Sequence, residues 1–599
     1  MLTSKILISS PPSLSPPSVP EPGVDSTYAL LVESLDDEHE VSVVRGAALS
    51  AREQGATLLC VAGGVIDAPE PERRTRNFVF DLVGPDNASG VLALTSAIGT
   101  VLGPTGMVPW LRRYQSLPVC ALGVPVEGSS SVTVDNGSGM REALEHLIKV
   151  HHRQRIAFID GPSGSPEAEA RYQAYVDALT AHGIQPDPRL RVAGDFTKAS
   201  GVQAVRVLLD ERRIPTHALD ALVAANDYMA LGAIDELARR NCAVPEAIAV
   251  TGFDDVPSAR LARPSLTTVR QPGEDLGREG LRKLRAPRNA QSSPDSLVLP
   301  TELLLRRSCG CVINESALAS GANVPVAGRG IETSFVQARQ IILAETMRAA
   351  RGTFGGAGAG WENRLLDALI AEVRGADPGG LSRALAQALH RIERSFNDPG
   401  VVQELLTALR RHCLPCVASD PIARDRLEEA LHDARVVASS IVLQAETARA
   451  RQADERFRAF AKHARSAMLG EPSALALAAA EELPRLGVDA CLVAGLLDSQ
   501  TPNGDARVLF GFGPGGRRAG GEIMPLRALP AHGLFQRSAR LRVLLPIVAD
   551  GRALGAALFA LATLDGTLLE DLGDLLGTVL RVSALARARE ATGSARPAR

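Results

Sequence analysis

From Tyr28 onwards, short apolar runs alternate with amphipathic stretches, and this rhythm restricts the fold more than any other feature of the chain. Continuous apolar strands separated by helices predict a parallel β-sheet covered by helices on both faces. In such α/β sheets, ligands bind beyond the carboxyl ends of the strands. The predicted strands are 28–32, 58–62, 90–95, 118–122, 155–159, 221–225 and 248–253.

The α/β rhythm stops near Ser308–Cys311, and the rest of the chain follows other patterns. Small and polar residues predict a linker at 312–332. Apolar residues at three-to-four spacing predict an α-helical region at 333–466. Within it, the charged, alanine-rich stretch 425–461 favours a two-helix or coiled connector. The Pro-rich residues 1–26 are predicted to be a disordered tail.

A small α+β domain is predicted at 467–590, followed by a basic tail at 591–599. Its Asp550-Gly551 pair is a hairpin turn signal between two apolar runs. A helix, an antiparallel sheet and a closing helix resemble a GAF-like sensor or dimerisation module. The predicted strands and closing helix are 490–497, 508–511, 543–548, 554–561 and 568–585.

Composition excludes several classes of protein. The formal net charge is −3 and the isoelectric point is near 6.5, so the chain lacks the global basic field that attracts nucleic acid, although a local basic patch is compatible with it. Its 8 cysteines are scattered, which favours buried thiols in a reducing compartment over a disulfide framework. No apolar run is long enough to cross a bilayer. A cytoplasmic protein is therefore expected.

Three segments carry a family resemblance: 134–179 (beginning VDNGSGM), 224–270 (beginning AANDYMALGA and including GFDD) and 299–311 (LPTELLLRRSCGC). Together they resemble the ligand-sensing domain of the LacI/GalR regulators, which has the type I periplasmic-binding-protein-like fold. The resemblance covers 27–311. It implies two lobes joined by three crossovers, near 131–134, 269–272 and 298–301, which close around a small molecule.

The resemblance also implies ligand contacts in the second lobe. Arg171 offers a planar fork for ring or vicinal hydroxyl oxygens, with a surface arginine at a helix start as the alternative. Asn226 carries a donor and an acceptor, or else caps the following helix. Asp254 would accept hydrogen bonds from ligand hydroxyls or amines, or else bond its own loop. Phe196 offers an aromatic face, or else packs in the core.

The first lobe offers weaker candidates. Ser34 and Ser96 follow predicted strands on the side where the fold has its cleft, and His39 also faces that region. The chain departs mildly from the family pattern at Ala174 and at the His151-His152 pair. A larger departure lies at the front, where the family carries a helix-turn-helix and only a Pro-rich stretch precedes Tyr28.

We therefore expect a cytoplasmic, ligand-sensing regulator of the LacI/GalR type. It would bind a sugar or a nucleoside-like, purine-like molecule, form a homodimer, and act through a downstream partner rather than at a membrane. Two alternatives stay open: direct DNA binding through an unrecognised element at 335–465, and a scaffold that senses nothing. Salt-dependent DNA binding would favour the first.

No residue set predicts an enzyme, a cofactor site or a metal site. The GGEI motif at 520–523 lacks the acidic metal-binding residues that cyclase chemistry needs. Cys413 and Cys416 have redox-motif spacing but lie in a helical region, which favours a packed pair. Cys309 and Cys311, as an isolated pair in the sequence, are only a weak metal signal.

Overall fold

The computed structural model of the chain describes residues 26–286, 295–311, 330–350, 354, 357–392, 400–467, 479–514, 516–536, 538, 540–562 and 564–593. The predicted tails at 1–26 and 591–599 and the linker at 312–332 lie almost wholly outside these residues.

The strands of the first half of the chain are β1 (Thr27–Val32), β2 (Thr57–Ala62), β3 (Val91–Leu94), β4 (Val119–Gly123), β5 (Ser130–Val134), β6 (Ile156–Ile159), β7 (Arg191–Val192), β8 (Ala221–Ala224), β9 (Ala249–Asp254), β10 (Thr267–Arg270), β11 (Ser296–Leu299) and β12 (Glu302–Leu304). The helices between them are α1 (Glu38–Glu53), α2 (Pro71–Thr75), α3 (Thr95–Ile98), α4 (Gly103–Leu111), α5 (Asn136–Lys149), α6 (Pro166–Ala181), α7 (Lys198–Arg206), α8 (Asp227–Arg239), α9 (Pro257–Leu261) and α10 (Gly273–Arg285). All seven strands expected from the apolar runs are present.

These elements form two lobes. The first lobe contains the parallel strands β1–β5 and β11, and the second has the strand order β12-β10-β9-β8-β6-β7. Every residue of β3 and of β8 is buried, as expected where helices cover both faces of a sheet. The chain changes lobes between β5 and α5, between β10 and α10, and between β11 and β12. The three predicted crossovers are therefore confirmed.

In the first lobe, α1 and α10 cross with their backbones in contact. A Cβ atom added to Gly46 would lie 1.8 Å from the carbonyl oxygen of Glu274, and one added to Gly277 would lie 2.0 Å from that of Val43. Only glycine permits this approach. The crossing holds α10, which follows the second crossover, against the helix that carries His39.

The helical region comprises α11 (Ile331–Ala349), α12 (Trp361–Val373), α13 (Gly380–Ile392), α14 (Gly400–Cys413) and α15 (Pro421–Ala467). These helices share one apolar core, which includes Phe335, Leu369 and Leu405. The two-helix alternative for the alanine-rich stretch is wrong, because α15 is a single helix of 47 residues. Its first turns pack in this core while its later turns extend beyond it. Among the helices described here, none is long and apolar enough to span a membrane.

The last described elements are β13 (Val488–Leu496), β14 (Asp505–Gly513), β15 (Gly516–Ala519), β16 (Ile523–Pro525), β17 (Leu541–Ala549), β18 (Arg552–Leu561) and α16 (Gly566–Gly593). The predicted hairpin is present: β17 and β18 pair antiparallel, and the turn residues Asp550 and Gly551 have φ values of 50° and 68°. Positive φ at both central residues is the requirement of a tight hairpin turn.

The C-terminal strands continue the sheet of the first lobe. β17 pairs in parallel with β2, from Leu541 opposite Leu58 to Leu544 opposite Val61, and this joins the two regions into one twelve-stranded sheet. The pairing also covers the edge of β2, which would otherwise be open to association with another strand. At the same junction, Arg76 of the first lobe forms an ion pair with Glu570 of α16 at 2.8 Å.

Candidate ligand-binding site

The second lobe brings four predicted contact residues together at the carboxyl ends of its strands. Asn226 follows β8, and Asp254 ends β9. Arg171 reaches them from α6, and Phe196 lies on the loop between β7 and α7. This is the position at which parallel α/β sheets bind ligands.

Arg171 is the central residue of this group. Its side chain is 3% exposed, and its guanidinium lies over the ring of Phe253 with 3.9 Å between the guanidinium carbon and the ring centroid. Nε donates to Asn136 Oδ1 at 2.8 Å, and Nη1 donates to the carbonyl oxygen of Ala225 at 2.7 Å. Nη2 has no hydrogen-bond partner among the described residues. Nε and Nη1 of the guanidinium are therefore held by protein acceptors, whereas Nη2 is not.

Asp254 lies beside this fork. Its Oδ1 is 3.8 Å from Arg171 Nη1 and accepts a hydrogen bond from Gln271 Nε2 at 2.6 Å, whereas no group of the described chain donates to its Oδ2. Burial raises the pKa of Asp254 to about 6, and the charges of Arg171 and His39 oppose this shift only in part. The backbone φ of Asp254 is 118°, a strained value for a residue with a Cβ. Such strain is typical of functional sites.

Asn226 and Phe196 complete the second-lobe wall. The side-chain oxygen of Asn226 accepts from the backbone N–H of Met229, so this residue caps α8, and its Nδ2 donates to the carbonyl oxygen of Phe196 at 3.0 Å. Phe196 has a φ of 66° and packs its ring against Gly161, where a Cβ would lie 2.6 Å from the ring. The Phe196 ring centroid is 5.9 Å from the Arg171 guanidinium carbon.

Of the three first-lobe candidates, only His39 shares a cavity with a second-lobe candidate, Asp254, and the other three second-lobe candidates do not line that cavity. His39 lines, with Asp254 and Gln271, a cavity of about 1450 Å³ between the lobes and the helical region. The structure gives Ser34 a different partner, because its hydroxyl donates to Glu570 at the junction with α16. Ser96 lies at a separate cavity of about 10 Å³, opposite Ser165 of the second lobe.

The two lobes touch at the mouth of the cleft. The backbone N–H of Glu38 donates to the hydroxyl oxygen of Tyr228 at 3.4 Å, and the Ser258 hydroxyl donates to Glu38 Oε2 at 3.2 Å. Both bonds join the start of α1 to the second lobe. Because they span the cleft, they depend on how far the lobes are closed.

Sequence reasoning missed three residues of this region. Asn136 and Gln271 orient Arg171 and Asp254, and both lie within a residue or two of a crossover, which is a usable signal. Asp255, next to Asp254, points away from the fork and accepts hydrogen bonds from Arg260, Arg270 and Arg306. The two neighbouring aspartates therefore differ: Asp255 is held by three arginines, whereas Asp254 accepts a hydrogen bond from Gln271 alone among the described residues.

The raised pKa of Asp254 predicts a pH dependence. A carboxyl whose pKa is higher in the folded state binds more protons there, so stability falls as pH rises between its ordinary 3.8 and about 6. Asp254→Asn is expected to flatten this part of the stability curve. Thermal melting of both proteins between pH 4 and about 7 measures it. An unchanged slope in the variant would show that Asp254 does not titrate in this range.

Comparison with known proteins places these features in a family. A family model described as a periplasmic binding protein-like domain matches residues 144–309. The HTH-type transcriptional regulator CelR of Thermobifida fusca is 44% identical over 188 residues, which is 31% of this chain and 54% of CelR. This chain thus spans about half the length of CelR.

Two further similarities extend over more of the sensor. The HTH-type transcriptional regulator AscG of Escherichia coli (strain K12) is 38% identical over 240 residues, covering 40% of this chain and 67% of AscG. A solved structure of a CelR–cellobiose complex shares 32% identity, covers 47% of this chain and 84% of that one, and has a TM-score of 0.40. With its two lobes, three crossovers and these relatives, the chain belongs to the LacI/GalR family of transcriptional regulators.

Proposed function

We propose that the two-lobed region is a sensor for a small sugar. The observation that carries this proposal is a donor and an acceptor without hydrogen-bond partners among the described residues, Arg171 Nη2 and Asp254 Oδ2. They belong to two buried side chains whose Nη1 and Oδ1 atoms lie 3.8 Å apart. A pair of adjacent hydroxyl groups presents the complementary acceptor and donor. Phe196 supplies an apolar face for the ring of the same ligand. The solved CelR structure that shares 32% sequence identity with this chain is a complex with cellobiose, and this sequence similarity supports a sugar over a purine.

Closure of the lobes would reach the helical region through Arg270. This residue ends β10 at the second crossover, where Nε donates to Asp255 at 2.8 Å and Nη1 donates to Glu302 at 3.1 Å. Its Nη2 lies 3.6 Å from Glu404 on α14. Because a crossover must rotate when the lobes close, this ion pair couples ligand binding to the helices.

We propose the following division of the chain into domains and the following output. Residues 27–311 form the sensor, 333–466 a helical connector, and 467–590 a GAF-like module, with tails at 1–26 and 591–599 and a linker at 312–332. The output is control of transcription or signalling in the cytoplasm by a homodimer and a partner. Antiparallel strands between flanking helical segments support the GAF-like assignment, with β17 joining this module to the sheet of the first lobe. The long helix α15 supports dimerisation. Neither an enzymatic step nor a cofactor is proposed.

A thermal-shift screen of the full chain tests the sensor proposal. Mono- and disaccharides, including cellobiose and ribose, form one arm, and nucleosides and purines form the other. A ligand that binds only the folded state at about 100 times its Kd adds about 2.7 kcal/mol to the free energy of unfolding. We expect a hit among the sugars that Asp254→Asn abolishes and that Asp187→Asn, a control at the pair with the exposed Arg189, retains. A hit only among purines, or none in either arm, would contradict the sugar proposal.

Direct DNA binding is the second candidate function, because AscG and CelR are HTH-type regulators. If the chain binds DNA, its affinity must fall steeply with salt, since phosphate contacts release counterions. A DNA-binding titration at two salt concentrations, with and without the sugar hit, separates this function from output through a protein partner.

A further inference from the structure

Two histidines and two cysteines converge in the second lobe, at the end opposite the carboxyl ends of its strands, where the candidate ligand contacts lie. His146 lies in the last turn of α5, and His151 lies in the loop that leads to β6. Cys309 and Cys311 follow β12, at the point where the described part of the sensor ends. The imidazole nitrogens and thiol sulfurs of the four residues all lie within 4.8 Å of one another.

The distances fit one metal ion at the centre of this group. His146 Nε2 is 3.1 Å from His151 Nε2, 3.6 Å from Cys309 Sγ and 3.3 Å from Cys311 Sγ, and Cys311 Sγ is 3.4 Å from His151 Nε2. Ligand atoms at the corners of a zinc tetrahedron, with bonds of about 2.0–2.3 Å, are separated by about 3.3–3.8 Å. Four of the six separations thus match such corners to within a few tenths of an ångström, and all six are within 4.8 Å.

Gly310 makes this arrangement possible. Its φ is 106°, a left-handed value that turns the chain so that the cysteines on either side of it both face His146. A Cβ at this position would also lie 3.2 Å from the His151 ring. The Cys-Gly-Cys sequence therefore satisfies a backbone requirement of the cluster as well as supplying two of its ligands.

We propose that His146, His151, Cys309 and Cys311 bind a zinc ion that fastens the end of the sensor to α5. Two thiolates and two imidazoles are a tetrahedral donor set typical of zinc, and four protein ligands leave no open position, which indicates a structural site. The two histidines and the two cysteines all belong to the second lobe. The ion would therefore hold the last described residues of 27–311 in place against that lobe. The sequence signal was weak because the histidines lie 163 and 160 residues from their cysteine partners.

Metal content of the full-length chain, purified under reducing conditions and dialysed against a weak chelator, tests this site. We expect about one zinc per chain in the wild type and in Cys413→Ser/Cys416→Ser, whose cysteines form the chain's other closely spaced pair. The variant Cys309→Ser/Cys311→Ser is expected to lose at least about ten-fold in zinc content. Zinc loss in the 413/416 variant instead would overturn the proposal.

Cobalt substitution in the wild type tests the site without relying on a variant that could fail to fold. After removal of zinc, Co²⁺ bound by these residues is expected to show thiolate-to-metal charge-transfer absorption together with the visible bands of tetrahedral cobalt. His151→Ala should weaken Co²⁺ binding at least about ten-fold. Absence of both zinc and cobalt absorption in the reduced protein, or a disulfide between Cys309 and Cys311 in the freshly isolated chain, would show that the residues do not form a metal site.

Discussion

Asp255→Asn is expected to destabilise the second lobe by about 3–5 kcal/mol, the cost of leaving buried charges without their partner. The Asp255 side chain is 2% exposed and is held by three arginines. Arg260 Nη2 donates at 2.9 Å, Arg270 Nε donates at 2.8 Å, and Arg306 donates to the other carboxylate oxygen. An asparagine of the same shape removes the negative charge and presents an amide group to guanidinium donors. Urea unfolding followed by circular dichroism measures the difference.

The pH dependence of this effect has a defined sign. Burial alone would raise the pKa of Asp255, but the three guanidinium groups outweigh burial and hold it below its ordinary 3.8. A carboxyl with a lowered pKa contributes its full stability at pH values above its ordinary 3.8. This contribution is lost as the pH falls through the folded-state pKa. The deficit of the variant should therefore be full at pH 7 and shrink in strong acid.

Asp187→Asn is the matched control for this prediction. Asp187 also pairs with an arginine, but Arg189 is 79% exposed and Asp187 is half-buried, so this pair contributes far less to stability than the buried clamp does. Its unfolding midpoint should stay close to that of the wild type. If Asp255→Asn unfolds at the same urea concentration as this control, the three-arginine clamp does not stabilise the lobe.

The sensor could be predicted from sequence because its elements are local. Each strand is a short apolar run such as Ala221–Ala224. Asn226 lies two residues after β8 and Asp254 is the last residue of the neighbouring β9, so the parallel sheet alone brings them together. Arg171 required the family resemblance, since nothing in its own helix indicates which way it points.

The features that sequence did not predict all depend on residues far apart in the chain. The pairing of β17 with β2 joins segments more than 450 residues apart. The sequence of neither strand predicts which strand it pairs with. For the same reason Ser34 was expected in the cleft, whereas Glu570 of α16 binds it. The stretch 425–461 lacks Gly and Pro, and this absence is the local signal that could have indicated one continuous helix.

Arg171→Lys is expected to weaken sugar binding about 10- to 150-fold, given that a charge-assisted hydrogen bond contributes about 1.5–3 kcal/mol. This prediction depends on the proposed sensor function. Lysine keeps the positive charge beside Asp254 but cannot donate to Asn136, to Ala225 and to a ligand in the fixed plane of the guanidinium. It also loses the stacking over Phe253. Isothermal titration of the sugar identified by thermal shift measures the loss.

Ligand-free melting of the Arg171→Lys variant separates a binding effect from a folding effect. Because the side chain is buried, part of the damage will appear as lower stability even without sugar. Arg155→Lys, at an exposed pair with Asp220, should change neither stability nor affinity. If Arg171→Lys binds sugar as tightly as Arg155→Lys does, the ligand does not use the free edge of the fork. The cavity beside His39 would then become the alternative site for the same sugar.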